Sequence, residues 1–193
     1  MKISSFLPLI LLIAGVMITI YSLWNIIDSK RQAATTLTEA KELVENRSPI
    51  DKDLPLKTVA PQIGDTVGLL KLPAIQSELA IIEGTDPDDL VKGVGHFAGS
   101  FYPGQSGQIV LSGHRDTVFT RLGELKLGED INIQMPYGDF TYEIIETKIV
   151  KADDLSIITL QNKQEELILT TCYPFGFIGN APERYIIYAK LKN

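Results

Sequence analysis

The chain has 193 residues, 45% of them hydrophobic, with 18 Lys+Arg against 24 Asp+Glu and a formal net charge of −6. That balance argues against a broad nucleic-acid-binding face, and the abundance of aliphatic residues argues against disorder. A single cysteine excludes an internal disulfide and every Cys-rich zinc module.

The apolar excess comes first along the chain. From Ile3 to Ile27 no side chain is charged, with Lys2 before the run and Asp28, Lys30 and Arg31 after it. The run exceeds the ~20 apolar residues that carry a helix across a bilayer core. A secretory signal has a shorter apolar region and a small-x-small cleavage site, and none closes this run. Tyr21 and Trp24 near its far end match an interfacial aromatic belt. The expectation is a short cytoplasmic end at 1–5 and an uncleaved transmembrane anchor at 6–27, with a cleaved signal peptide as the alternative. Lys2 with the α-amine on one side is opposed by Lys30 and Arg31 on the other, so the positive-inside count is almost even, and an extracellular C-terminal domain is the expectation.

Residues 28–63 read as a stalk. Within them Leu37, Ala40, Leu43 and Val44 have helical spacing, in a segment too short and polar to be stable alone. Pro49, Pro55 and Pro61 then favour extended chain. The stalk holds the domain off the bilayer or folds back over it; the sequence leaves both open.

From Gly64 to the end, short apolar runs alternate with turn signals. GLLKLPAI, ELAIIEG, QIVLSGH, INIQM, FTYEIIETKIV, LILTTC and RYIIYAKL are bounded by Gly, Pro and Asp, as strands are. Short helices are expected at Asp86 to Val91, behind an Asp-Pro start, and near Val118 to Leu122. Few helices and no βαβ rhythm indicate a mainly antiparallel barrel or sandwich.

The reactive inventory is short: Cys172, His96 and His114, with Arg115 and Arg184 as cations that keep their charge at any working pH. There is no HExxH, paired CxxC, glycine-rich phosphate loop or GxSxG elbow. Cys172 ends a predicted strand before Tyr173-Pro174, a common place for a reactive group on a rigid frame. A lone cysteine is equally read as a small buried hydrophobe. A Cys–His pair is the minimum for thiol nucleophilic catalysis, because a free thiol is only a few per cent ionised at neutral pH, and Leu111-Ser112-Gly113-His114 offers the histidine. An arginine facing such a pair stabilises a thiolate or an oxyanion; on a surface it only forms an ion pair.

The anchor, then VGHFAGSFYPGQSGQIVLSGHRDT (Val94 to Thr117), then LILTTCYPFGFIGNAPERYIIYA (Leu167 to Ala189), resemble the sortases, membrane-anchored cysteine transpeptidases of mainly Gram-positive cell surfaces. The family pattern is a His near a strand end, a TLxTC-like strand and an Arg about a dozen residues on. Here His114, Thr170-Thr171-Cys172 and Arg184 follow in that order, with Ile168-Leu169 where Thr-Leu is usual. The GHRDT block is most like class D. The resemblance spans roughly Gly64 to Lys192 and implies a closed eight-stranded β-barrel with short helices as the catalytic domain, 64–193.

The resemblance further implies cleavage of an LPxTG-like C-terminal sorting signal between Thr and Gly, and transfer of the secreted protein to a cell-wall amine. In it Cys172 is the nucleophile and His114 the acid and base, with Arg184 and the Tyr173 N–H holding the oxyanion. Leu155, Ile157 and Ile158, in the segment Lys151 to Glu166, are candidate contacts for the substrate. His96 reads as structural. No cofactor and no metal is expected, despite Asp153, Asp154, Glu165 and Glu166. The alternatives are a tethered cysteine peptidase that only hydrolyses and a non-catalytic surface binding module.

Overall fold

One helix, α1 (Leu7–Glu45), runs through both the apolar front end and the amphipathic segment after it. The structure, a computed structural model, describes residues 7–46, 61–177 and 179–192. The expected N-terminal end at 1–5 and the stalk prolines Pro49 and Pro55 lie outside them. No Gly or Pro interrupts the chain between Gly15 and Glu45, so the change from apolar to charged residues at Asp28 alters the surface of the helix and not its backbone. Asp28 accepts from the Gln32 amide one turn on, at 2.7 Å. Residues 8–27 are apolar on every side, as a helix surrounded by lipid would be. Among the described residues α1 is the one helix long and apolar enough to cross a membrane.

The far end of α1 belongs to the domain. Leu37, Ala40 and Val44, on one helical stripe, pack on Leu69, Ala80 and Ile82. Lys41 closes the contact with an ion pair to Glu78 at 2.5 Å, which Lys71 shares at 3.3 Å.

The domain is a closed barrel of eight strands: β1 (Thr66–Leu72), β2 (Ser77–Glu83), β3 (Val94–His96), β4 (Gln108–Gly113), β5 (Asp130–Met135), β6 (Gly138–Lys151), β7 (Glu166–Tyr173) and β8 (Glu183–Leu191). Their order around the barrel is β1-β2-β3-β4-β7-β8-β6-β5. The β2–β3 and β4–β7 pairs are parallel and the others antiparallel. Closure removes the exposed edges of an open sheet. Alternate residues fill the interior, among them Leu70, Ile81, Ile109, Leu111, Ile133, Leu167, Leu169 and Ile187.

Two elements differ from expectation. Val94–His96 is a strand, which its three residues and flanking glycine conceal in the sequence. The segment at 118–122 is a set of turns followed by a single 3-10 turn, Leu122–Glu124. There the chain doubles back after His114: the Phe119 N–H donates to the His114 carbonyl at 2.9 Å, and the Phe119 ring lies over Gly113, where a Cβ would meet it at 2.6 Å. The short helix α2 (Pro87–Leu90) forms behind Asp86 as expected.

In the strand order, β1–β2 and β7–β8 lie half a circuit apart. The docked end of α1 therefore covers the wall opposite the one that carries Cys172.

Candidate active site

The outer face of the β4–β7–β8 wall places three of the sequence-nominated residues in one row. Strand β7 pairs with β8 so that Cys172 is directly opposite Arg184. Strand β4 pairs in parallel with β7 up to Gly113 opposite Thr171, and His114 and Cys172 are the next residues along the two chains. Because side chains alternate and adjacent strands lie about 4.8 Å apart, Cys172 and Arg184 stand side by side, and His114 follows directly on the rung that precedes Cys172. The interior positions of the same strands, Leu169 and Ile187, belong to the core. Cys172, His114 and Arg184 are each partly exposed.

The ladder stops where this row begins. Its last rung is reinforced by the buried Thr171 hydroxyl, which donates to the Gly113 carbonyl at 2.7 Å. Neither the Cys172 thiol nor the His114 ring makes a side-chain hydrogen bond among the described residues, so both are available to a substrate. Arg184 donates from Nη1 to the carbonyls of Ala181 at 3.2 Å and Glu183 at 3.0 Å. This holds the head group while its Nε and Nη2 bond nothing among the described residues.

Arg115 lies differently. It is 7% exposed, and its guanidinium reaches the carbonyls of Pro174, Phe177 and Gly179, at 3.2, 2.7 and 2.8 Å. Asp116, the next residue in the turn, accepts from Arg115 Nε at 3.3 Å.

The ring of Tyr173 is turned into an aromatic cluster with Phe175 and Tyr185, with centroids 5.7 and 6.2 Å away. Any part it plays toward a ligand on the outer face falls to its backbone. The 152–165 connection is tied at its start by the Ala152 N–H to the Pro182 carbonyl, 2.9 Å, beside β8. Further on it is tied to Gln108 at the start of β4. Since β7 lies between β4 and β8, the connection crosses the outer face of β7 and walls the row on one side. Leu155, in the 3-10 turn Leu155–Ile157, is 74% exposed. The Ile157 carbonyl, by contrast, is held by Gln108 at the end of the barrel away from Cys172, with Ile158 next to it.

Gln108 is a residue that sequence reasoning missed. Almost fully buried, it accepts from the N–H groups of Thr159 and Leu160 and donates to the Ile157 carbonyl and the Glu166 carboxylate. A polar residue heading an apolar strand is the only sequence signal it offers. A basin of about 520 Å³ lies beside it, lined by Ile157, Lys163, Glu166 and Tyr188 among others, at the opposite end of β7 from Cys172.

The acids of this connection have separate tasks. Asp154 caps the 3-10 turn through Ser156, and those bonds hold its carboxyl below the usual range. Glu165 accepts from the Tyr142 hydroxyl and the Gly104 N–H. Among the described residues no group of three or more His, Cys, Asp or Glu could hold a metal ion. His96 is buried in β3, with Nδ1 2.8 Å from the Glu83 carboxylate and Nε2 near the Phe101 carbonyl and the Ser100 hydroxyl.

Comparison with known proteins agrees with this architecture. The sortase domain family model matches residues 70–192. The chain is 51% identical over 191 residues to sortase D of Bacillus subtilis (strain 168), covering 95% of this chain and 96% of that one. Among solved structures, a sortase D5 transpeptidase of Clostridium perfringens superposes with a TM-score of 0.72 at 29% identity, over 84% of this chain and 99% of that one. The catalytic domain of B. anthracis sortase D gives 0.58 at 41% identity, over 71% and 97%. A C. perfringens sortase C, solved with the C-terminal cell wall sorting motif, gives 0.64 at 25% identity, over 84% and 89%. With its barrel and its sequence matched together, the chain belongs to the sortase family of cysteine transpeptidases.

Proposed function

We propose that this sortase is anchored by α1 with its barrel outside the cell, cleaves an LPxTG-like C-terminal sorting signal between Thr and Gly, and transfers the acyl part to a cell-wall amine. The observation that carries the reading is the pairing of Cys172 with Arg184 across β7 and β8, with His114 directly after the last β4–β7 rung beside them. In this reading Cys172 is the nucleophile, His114 the proton carrier and Arg184 the fixed cation.

In the first step the Cys172 thiolate attacks the Thr carbonyl carbon and a C–S bond forms. The carbonyl electrons move onto oxygen, where Arg184 and the Tyr173 N–H stabilise the charge. Collapse of this oxyanion breaks the Thr–Gly C–N bond, and the His114 imidazolium gives its proton to the departing amine. The result is a thioester on Cys172. In the second step an acceptor amine attacks that thioester, neutral His114 takes the proton the amine loses, and the C–S bond breaks to return the thiolate. Water in place of the amine gives hydrolysis.

Both groups must be in the right protonation state at once, so the rate follows a bell-shaped pH profile. The mechanism is tested by incubating the full chain in detergent with an LPxTG-type peptide library, with and without amine acceptors. Ligated product that requires Cys172 and His114 supports the reading; an absence of cleavage with every peptide refutes it.

A further inference from the structure

The two groups that must meet in this reaction lie one residue beyond the structure that aligns them. The β4–β7 ladder ends at Gly113 and Thr171, and His114 and Cys172 are the next residues on each strand. Past that rung no backbone pairing between β4 and β7 holds the strands together, and the chains diverge into a turn on one side and the 174–182 connection on the other. A reaction that needs its partners within hydrogen-bond reach requires a restraint on the open side.

Arg115 provides one. It follows His114 directly, and its guanidinium crosses to the connection that follows Cys172. One donor from Nη1 goes to Pro174 and two from Nη2 go to Phe177 and Gly179. Its Nε goes to Asp116, and its head group lies 5.7 Å from the centre of the Phe177 ring. Three carbonyls gathered on one planar cation are a demanding arrangement. Each loses water, and only a fork of fixed geometry serves all three. A charge this buried is costly unless it is well satisfied, and carbonyls of the connection supply most of its bonds. Four of its five N–H donors are thereby committed, three of them to the connection after Cys172.

We propose that Arg115 is a positioning residue of this active site: it joins the segment after His114 to the connection after Cys172, closing the open side of the row that the Thr171–Gly113 bond closes from below. The same restraint holds the start of that connection, next to the Tyr173 N–H. This inference rests on the assignment of His114 and Cys172 as the reacting pair.

The test uses the full chain in detergent micelles, with Arg115→Gln, Arg115→Lys and Gly179→Ala. Three quantities are read: the rate of Cys172 alkylation by iodoacetamide against pH, kcat and KM on an LPxTG-type peptide with an amine acceptor, and the thermal transition. Arg115→Gln should keep a cooperative transition yet change the pH profile of alkylation, because the imidazole no longer sits in a fixed place beside the thiol. Its kcat should fall by about 10- to 100-fold, the order expected of a small misplacement, with KM changed by less than about threefold. Arg115→Lys should recover part of the loss.

A wild-type alkylation profile with wild-type kcat in Arg115→Gln overturns the proposal, as does a loss confined to KM. Where Arg115→Gln does not fold, Gly179→Ala decides. It leaves Arg115 in place and strains the turn, at φ +109°, that presents the third carbonyl. It must show the same loss, and wild-type behaviour there overturns the proposal. A wild-type chain that cleaves no sorting-signal peptide defeats the substrate reading, while the alkylation profiles still decide the role of Arg115.

Discussion

Cys172 and Arg184 are direct partners across the β7–β8 ladder, on the same face of the barrel wall. The arginine head is steadied by the Ala181 and Glu183 carbonyls through one nitrogen. In the proposed reaction its other N–H groups meet the charge that develops beside the thiol. Arg184→Lys keeps the charge and loses the fork. Its kcat/KM should fall by roughly 10²- to 10³-fold, the usual cost of losing one oxyanion donor. Steady-state kinetics on an LPxTG-type peptide checks this, and full activity would remove Arg184 from the oxyanion role.

Thr171 closes the last rung of the β4–β7 pair through its buried hydroxyl. Thr171→Val keeps the shape and leaves the Gly113 carbonyl without that donor, a loss of about 1–3 kcal/mol in thermal unfolding. Because the rung sits beside both His114 and Cys172, kcat should fall as well. Thr171→Ser, which keeps the hydroxyl, should retain most of both.

Gln108 bonds the 152–165 connection at three backbone groups. Gln108→Leu strands those groups and frees the connection that crosses β7. Under the proposed mechanism the expected result is a rise in KM larger than any fall in kcat, since Cys172 is at the other end of β7. Equal KM values for wild type and variant would separate this connection from substrate binding.

Glu78 carries the pH dependence of helix docking. Its bonds to Lys41 and Lys71 hold its carboxyl below the usual range. A group whose folded pKa is depressed stabilises the fold above its unfolded pKa, and that contribution is lost as pH falls through the folded value. The site is well exposed, so screening limits the effect to under about 1 kcal/mol. Thermal melts should show wild type more stable than Glu78→Gln near neutral pH, with the difference shrinking as pH falls through and below the usual carboxylate range. Turnover should be equal in the two, because this contact is on the wall opposite Cys172.

The parts of the molecule legible in the sequence are those written locally. Strand runs such as Leu167–Cys172 and Arg184–Leu191 carry their own apolar pattern and turn boundaries, and the order of His114, Cys172 and Arg184 marks the family. What was hidden depends on distant partners. Val94–His96 is a strand because β2 and β4 flank it, which no three-residue pattern reveals. Leu37, Ala40 and Val44 show a helical stripe, but that it meets Leu69, Ala80 and Ile82 follows only from the closed barrel. Arg115 looks like any charged residue in a turn, since the carbonyls that it holds are about sixty positions further on.

The central claim is acyl transfer through Cys172, and the most direct measurement is intact-mass spectrometry of the full chain in detergent, incubated with an LPxTG-type peptide and no amine. The account predicts an adduct equal to the peptide portion ending in Thr, bound to Cys172, absent in Cys172→Ala and discharged to ligated product when an amine is added. Peptide cleavage with no adduct in wild type, or undiminished cleavage in Cys172→Ala, would contradict it.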